Sequence, residues 1–366
     1  MSSLAPASSD DARKALDGLL DLMVARRASD MHLSEGCVPY LRVEGVLRPL
    51  DEKPDYSVRD LACAIVSERQ RRVFDELQSL DFAYSRRQTR YRINVFQERG
   101  QVAVAIRRLE NEFRTLDEWG LPLQLASFAD LRDGLVIVTG PTGSGKTTTL
   151  ATLIHEINLN RSCHIVTIED PLEYVHDNIH SLVHQREVHT DVPDFASAVR
   201  ASLREDPDVI LVGEMRDAET ARAAITAAET GHLVFSTLHT GDTVGAIDRL
   251  LGIFSGAERE AVAHQLSLAL RAVVAQRLLP GLNHGARVPA VEILQVTKAV
   301  AHLVRVGKWE QIYSAIETGR AEGMRSFEQS LRELVENRLI AKEEAYRATR
   351  DPGLLEELLN SGRSVT

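Results

Sequence analysis

The sequence predicts an α/β protein of two domains, a small α+β domain followed by a parallel-sheet P-loop domain with a helical C-terminal region. Three observations predict it. Short β-branched and aromatic segments with alternating polarity occupy the first third of the chain. Four apolar runs separated by helical or loop sequence follow, and a glycine-rich loop ends the first of them. A chain of 366 residues has room for two buried cores.

Leu16, Leu19, Leu20, Met23 and Val24 recur at helical spacing and predict an amphipathic helix ending near Arg27. From Met31 the period changes. Tyr40 to Val43, Phe82 to Tyr84, Tyr91 to Phe96 and Val102 to Ile106 read as strands, with Tyr91, Ile93 and Val95 interleaving with Arg90, Arg92 and Asn94. They predict a small antiparallel sheet with flanking helices. Between Leu109 and Asp133 the pattern weakens into charges, a Gly-Leu-Pro turn and scattered leucines, which places the linker there and the domains at 1–112 and 113–366. The apolar runs Leu135 to Val138, Ile165 to Ile168, Val209 to Val212 and Leu233 to Leu238 suit buried parallel strands. From Gly256 onward the chain reads as mostly helical, most clearly over Ala261 to Leu279 and Ser326 to Leu339.

Hydrophobic residues are 44% and charged residues 26%, a globular composition. Lys and Arg total 43 against 53 Asp and Glu, and the net charge of -10 weighs against nucleic acid as the main partner. Cys37, Cys63 and Cys163 show no CxxC spacing, so neither a disulfide framework nor a zinc site is expected. The start MSSLAPASSDDARK lacks the pattern of a secretory signal, and no apolar stretch approaches the roughly 20 residues that span a bilayer. A cytoplasmic protein is expected.

GPTGSGKT, comprising Gly140, Pro141, Thr142, Gly143, Ser144, Gly145, Lys146 and Thr147, stands between a strand and an apolar helix, with Thr148 next in line. This is the P-loop pattern in its required context. Its glycines let successive N–H groups point into a concavity at a helix N-terminus, where phosphate is favoured. Lys146 is expected on the β and γ phosphates of ATP and the Thr147 hydroxyl on Mg²⁺. The run Val209 to Val212 delivers Glu214 to a strand's C-terminal end, a Walker B position from which it would also hold the metal. Glu169, Asp170 and Glu173 lie within five residues after another strand, a repulsive grouping that Mg²⁺ or nearby donors must offset. One of the three is expected to act on the attacking water as general base. His232 precedes the fourth run and His239 follows it, either as ordinary histidines or as sensors of the γ phosphate.

ASDMHL (Ala28 to Leu33), RYRINVF, GPTGSGKT, TIEDPLEYVH, REDPDVILVGEMRD, TGHLVFSTLH and YSAIETG (Tyr313 to Gly319) together resemble the twitching-motility, pilus-retraction branch of the secretion ATPase superfamily. The match covers roughly residues 15 to 340. It implies a PAS-like N-terminal domain, a RecA-like ATPase domain and a homohexameric ring. It makes Glu173, in the family's Asp box, the first choice for catalytic base, and puts Glu214 on the Walker B acid and His232 and His239 on the His box. Arg90 and Arg92 align with arginines that approach a neighbouring subunit's nucleotide. On their own they read as the exposed face of a strand.

The resemblance further implies a partner in an inner-membrane pilus platform protein, docking at the membrane base of the pilus machine, and a second retraction ATPase alongside. Pilus-assembly relatives usually carry a paired CxxC module, which this chain lacks. Where retraction ATPases typically read AIRNLIRE, this chain reads AVAHLVRV (Ala299 to Val306), with Ala301, His302 and Val306 as the departures. The expected activity is ATP hydrolysis by in-line water attack, coupled to pilus retraction. A nucleic-acid translocase on the same core and an accessory ring subunit with weak turnover are the alternatives.

Overall fold

The computed structural model describes residues 10–361 except 44, 54, 55, 88, 110–112 and 284. Residues 1–9, at the polar start, and 110–112, where the expected linker opens, lie outside the described residues. The chain forms two compact units, Met1–Glu112 with Pro171–Val175, and Phe113–Asp170 with His176–Thr366.

The first unit opens with helix α1 (Asp10–Ala25), which buries Leu16, Leu20 and Met23. It stops where Arg27 takes φ 51° and the Ala28 amide donates to the Met23 carbonyl at 2.9 Å, a closing turn usually given to glycine. Strands β1 (Asp30–Ser34), β2 (Tyr40–Val43) and β3 (Val46–Pro49), helices α2 (Val58–Cys63) and α3 (Glu68–Leu77), and strands β4 (Ser79–Arg86), β5 (Thr89–Glu98) and β6 (Gln101–Leu109) follow. They make one antiparallel sheet in the order β3-β2-β1-β6-β5-β4. On β5 the alternation is what the period requires: Tyr91, Ile93 and Val95 are buried in the core, and Arg90 and Arg92 stand on the other face.

The second unit runs β7 (Gly134–Thr139), α4 (Lys146–Asn160), β8 (His164–Glu169), β9 (Leu182–Glu187), α5 (Phe195–Ser202), β10 (Val209–Val212), α6 (Ala218–Glu229), β11 (Leu233–Leu238), α7 (Thr243–Gly252) and α8 (Gly256–Ala269). Then come β12 (Leu270–Pro280), β13 (Arg287–Gln295), α9 (Lys298–Val306), α10 (Glu310–Thr318), α11 (Phe327–Glu336), α12 (Lys342–Ala348) and α13 (Pro352–Ser361). The seven-stranded sheet has the order β13-β12-β7-β11-β10-β8-β9. All neighbours are parallel except the β12–β13 pair. Both faces are covered: Leu135 and Ile137 pack into one apolar cluster with α6 and α8, while Val136 and Val138 pack into another with Leu150, Leu153 and Ile154 of α4.

The four apolar runs are neighbouring parallel strands, as expected. The helical reading of Ala261 to Leu279 is overturned in its second half, because α8 ends at Ala269 and Leu270 to Pro280 is strand β12, with β13 beside it. An apolar run of this length satisfies either geometry locally. Here the free edge of β7 decides, since Ala272, Val273 and Val274 are buried completely when they pair along it. Among the described residues no helix is long and apolar enough to cross a membrane.

Candidate nucleotide site

The phosphate loop leaves β7 at Thr139 and enters α4 at Lys146. Helices α5, α6 and α7 each begin at an aspartate that accepts from a first-turn amide, whereas α4 begins at Gly145, with φ 88° and no side-chain cap. A helix start without a side-chain cap suits an anion. Gly140 has φ 152°, and a Cβ there would run into the Gln276 carbonyl. At Gly145 a Cβ would come within 2.8 Å of Gln276 Nε2. Gly143, with φ 78°, has nothing within 4 Å of its Cβ position, so the loop is tight behind and open in front. That cradle fits a nucleotide polyphosphate.

Lys146 is 8% exposed, and its Nζ donates to the Gly140 carbonyl at 2.8 Å and the Pro141 carbonyl at 3.1 Å. Pro141, Thr142 and Gly143 are exposed, and Thr147 and Thr148 are half-buried on the first turn of α4. Ser144 Oγ is buried without a hydrogen-bond partner among the described residues. Behind the loop stands Gln276 of β12, 3% exposed. Its Nε2 donates to the Ser144 carbonyl at 2.8 Å and its Oε1 accepts from Thr149 Oγ1 at 2.7 Å. Motif and spacing give this residue no role; its one signal in the sequence is a lone amide in an apolar run.

Glu214 follows β10 and is held beside the end of β11, where Thr237 Oγ1 donates to the Gly213 carbonyl at 2.6 Å and the Met215 amide donates to the Thr237 carbonyl at 3.2 Å. Its carboxylate meets His239 Nε2 at 3.3 Å and Arg216 Nε at 2.7 Å, one oxygen to each. The structure therefore brings Glu214 and His239 together at the C-terminal ends of the neighbouring strands β10 and β11. An ionised carboxylate has lone pairs beyond these two contacts. Among the described residues no group of three or more His, Cys, Asp or Glu could hold a metal ion. A Mg²⁺ that arrives with a nucleotide's own oxygens needs no such group, because this ion is usually bound with few protein ligands.

His232 is elsewhere. It precedes β11, its carbonyl accepts from the Gly134 amide at 3.0 Å, and its Nδ1 lies 2.9 Å from the Ala227 carbonyl of α6. Leu233 pairs with Gly134 and Leu238 with Thr139. The strand therefore separates His232 from the phosphate loop of its own chain by roughly 20 Å. Sensing of the γ phosphate by His232 within one subunit does not fit that position.

The three acids of the expected base cluster have different local settings. Glu169 is buried at the end of β8, where its Oε1 accepts from Thr167 Oγ1 at 2.7 Å and from Gln185 Nε2 at 3.4 Å. Asp170 is exposed. Glu173 belongs to the first unit with the rest of Pro171–Val175, and its Oε1 lies 3.9 Å from Arg92 Nη1. Arg92 Nε donates to both Asp81 oxygens, at 2.9 and 3.2 Å, and Arg90 donates to the Leu172 carbonyl at 3.3 Å and Ser85 Oγ at 3.0 Å.

Comparison with known proteins places this arrangement. The type IV pilus retraction ATPase PilT of Pseudomonas aeruginosa is 43% identical over 340 residues, 91% of this chain and 98% of that one. A twitching motility protein of Neisseria gonorrhoeae is 43% identical over 314 residues, 85% of this chain and 84% of that one. The crystal structure of the pilus retraction motor PilT with bound ADP superposes with a TM-score of 0.86 at 42% identity, covering 93% of this chain and 98% of that one. The profile of the type II/IV secretion system proteins matches residues 11–359. The chain belongs to the type II/IV secretion system protein family.

Proposed function

We propose that this protein is an ATP-hydrolysing motor that powers type IV pilus retraction, working as a homohexameric ring in the cytoplasm against an inner-membrane platform protein. The observation that carries the reading is the glycine cradle at Gly140–Gly145 with Glu214 at a nearby strand end. It is set in a chain similar along nearly its whole length to a retraction ATPase. The first domain is read as PAS-like and the second as RecA-like.

Lys146 and the loop amides hold the phosphates, and Thr147 and Glu214 would hold Mg²⁺. When bound, the ion would offset phosphate charge. Glu173 orients and deprotonates the attacking water, and Arg90 and Arg92 serve the nucleotide of a neighbouring subunit. The bond of Arg90 to Leu172 and the approach of Arg92 to Glu173 support a link between those arginines and the acidic segment. The variant Glu173→Gln should bind nucleotide as the wild type does and lose turnover by about a hundredfold or more. Steady-state hydrolysis retained in that variant removes Glu173 from the mechanism.

A second reading, an accessory ring subunit that hydrolyses poorly alone, draws support from α9. There His302 and Val306, two departures from the retraction pattern, are exposed, and Ala301 is half-buried.

A further inference from the structure

The link between α12 and α13 makes a contact remote in sequence. Arg350 Nη2 donates to the Gly241 carbonyl, and Nη1 lies 3.6 Å from Asp242 Oδ2 and 3.7 Å from Glu292 Oε2. Arg277, next after Gln276 on β12, donates to the same Gly241 carbonyl at 3.2 Å and to the Ala348 carbonyl at 3.2 Å. Both guanidiniums lie over the buried Phe327 ring, with Arg277 at 4.8 Å and Arg350 at 5.9 Å from its centroid. One backbone oxygen is thus held by two charged donors, the stronger kind of hydrogen bond.

Gly241 stands two residues after His239. Between them, the Thr240 amide donates to Thr139 Oγ1 at 2.9 Å, and Thr139 is the residue before the phosphate loop. On the other side, Asp242 caps α7 through the Gly245 amide at 2.5 Å and accepts from the Tyr313 hydroxyl of α10 at 3.1 Å. Residues 240–242 are therefore pinned to the phosphate-loop strand at one end and to the C-terminal helices at the other. The His239 side chain is 47% exposed and reaches Glu214 from one ring nitrogen, so the backbone that follows it decides where it stands.

From this geometry we infer that Arg350 is a positioning residue for the Glu214–His239 pair, through which the C-terminal helices set His239 beside the nucleotide site. The inference rests on the ATP-hydrolysing reading above. A residue that only glued helices together would lower stability on removal and leave the contribution of His239 to turnover intact.

The test is a double-mutant cycle on the full chain, using wild type, Arg350→Gln, His239→Ala and the double variant. kcat, KM for ATP, nucleotide binding and melting temperature are measured for each. Arg350→Gln should lower kcat by about tenfold to a hundredfold with KM nearly unchanged, and the double variant should be no slower than His239→Ala alone. Arg350→Lys, which keeps a charged donor, should recover part of the loss, and it carries the cycle if the Gln variant does not fold. Effects that multiply, or a melting temperature that falls while kcat holds, overturn the inference. A wild type that turns over ATP with an equally active His239→Ala defeats the inference alone. A wild type without turnover defeats the functional reading and the inference together.

Discussion

At Gln276 one buried carboxamide bonds the phosphate loop at Ser144 and the first turn of α4 at Thr149, and leaves no room for a Cβ at Gly145. Gln276→Leu removes both bonds at similar volume and strands the Ser144 carbonyl. The expected cost is about 1–3 kcal/mol of stability, with nucleotide affinity falling by about tenfold; isothermal titration with ADP and a denaturant melt measure the two. Unchanged ADP affinity contradicts a loop-setting role. His176 gives a pH dependence. Burial pushes its imidazole from the ordinary 6.5 down to about 4, and its ring lies against Phe113, which also stacks on His155 at 4.2 Å. Because the folded chain refuses a proton that the unfolded chain accepts, this stability is complete above pH 6.5 and is lost as pH falls from 6.5 toward 4. The loss amounts to about 3 kcal/mol. His176→Phe keeps a ring in the stack and should flatten that acid limb in melts across the range; an unaltered slope assigns the acid sensitivity to other groups. Lys146 and Glu214 were legible in the sequence because motif and strand end fix their places. Gln276 was not, because its role depends on which strand adds to the edge of β7.

Elements were legible where the local pattern admits one geometry. Four short apolar runs between turns and helices could only be strands, and the alternation around Tyr91 is enough by itself to put Arg90 and Arg92 on one face of β5. Leu270 to Pro280 admits two geometries, and the choice is made by β7 from more than a hundred residues away. The bracketing of β11 by two histidines looked like one feature in sequence. The C-terminal ends of the parallel strands lie together and away from their starts, and His239, after β11, lies at the end where Glu214 stands. On α9, Val300 and Val304 are buried and hold the helix down, so the departures at His302 and Val306 alter its exposed surface and not its packing. Restoring Ala301→Arg, His302→Asn and Val306→Glu together should leave purified ATP turnover within about twofold, as surface changes away from a site do. Pilus retraction by cells relying on this chain should change. If turnover shifts and retraction does not, α9 acts on the nucleotide site and not on the load.

At the scale of the whole molecule, the chain divides into two compact units, with Pro171–Val175 of the acidic segment assigned to the first. The residues expected to act on water and phosphate belong partly to each unit. An autonomous ring motor is checked by steady-state ATP hydrolysis of wild type and Lys146→Ala, with mass by light scattering in the same buffer. The expected result is magnesium-dependent turnover from a species near six times 40.6 kDa, abolished in the variant. A ring that binds ATP without hydrolysing it, or turnover that survives Lys146→Ala, would contradict it.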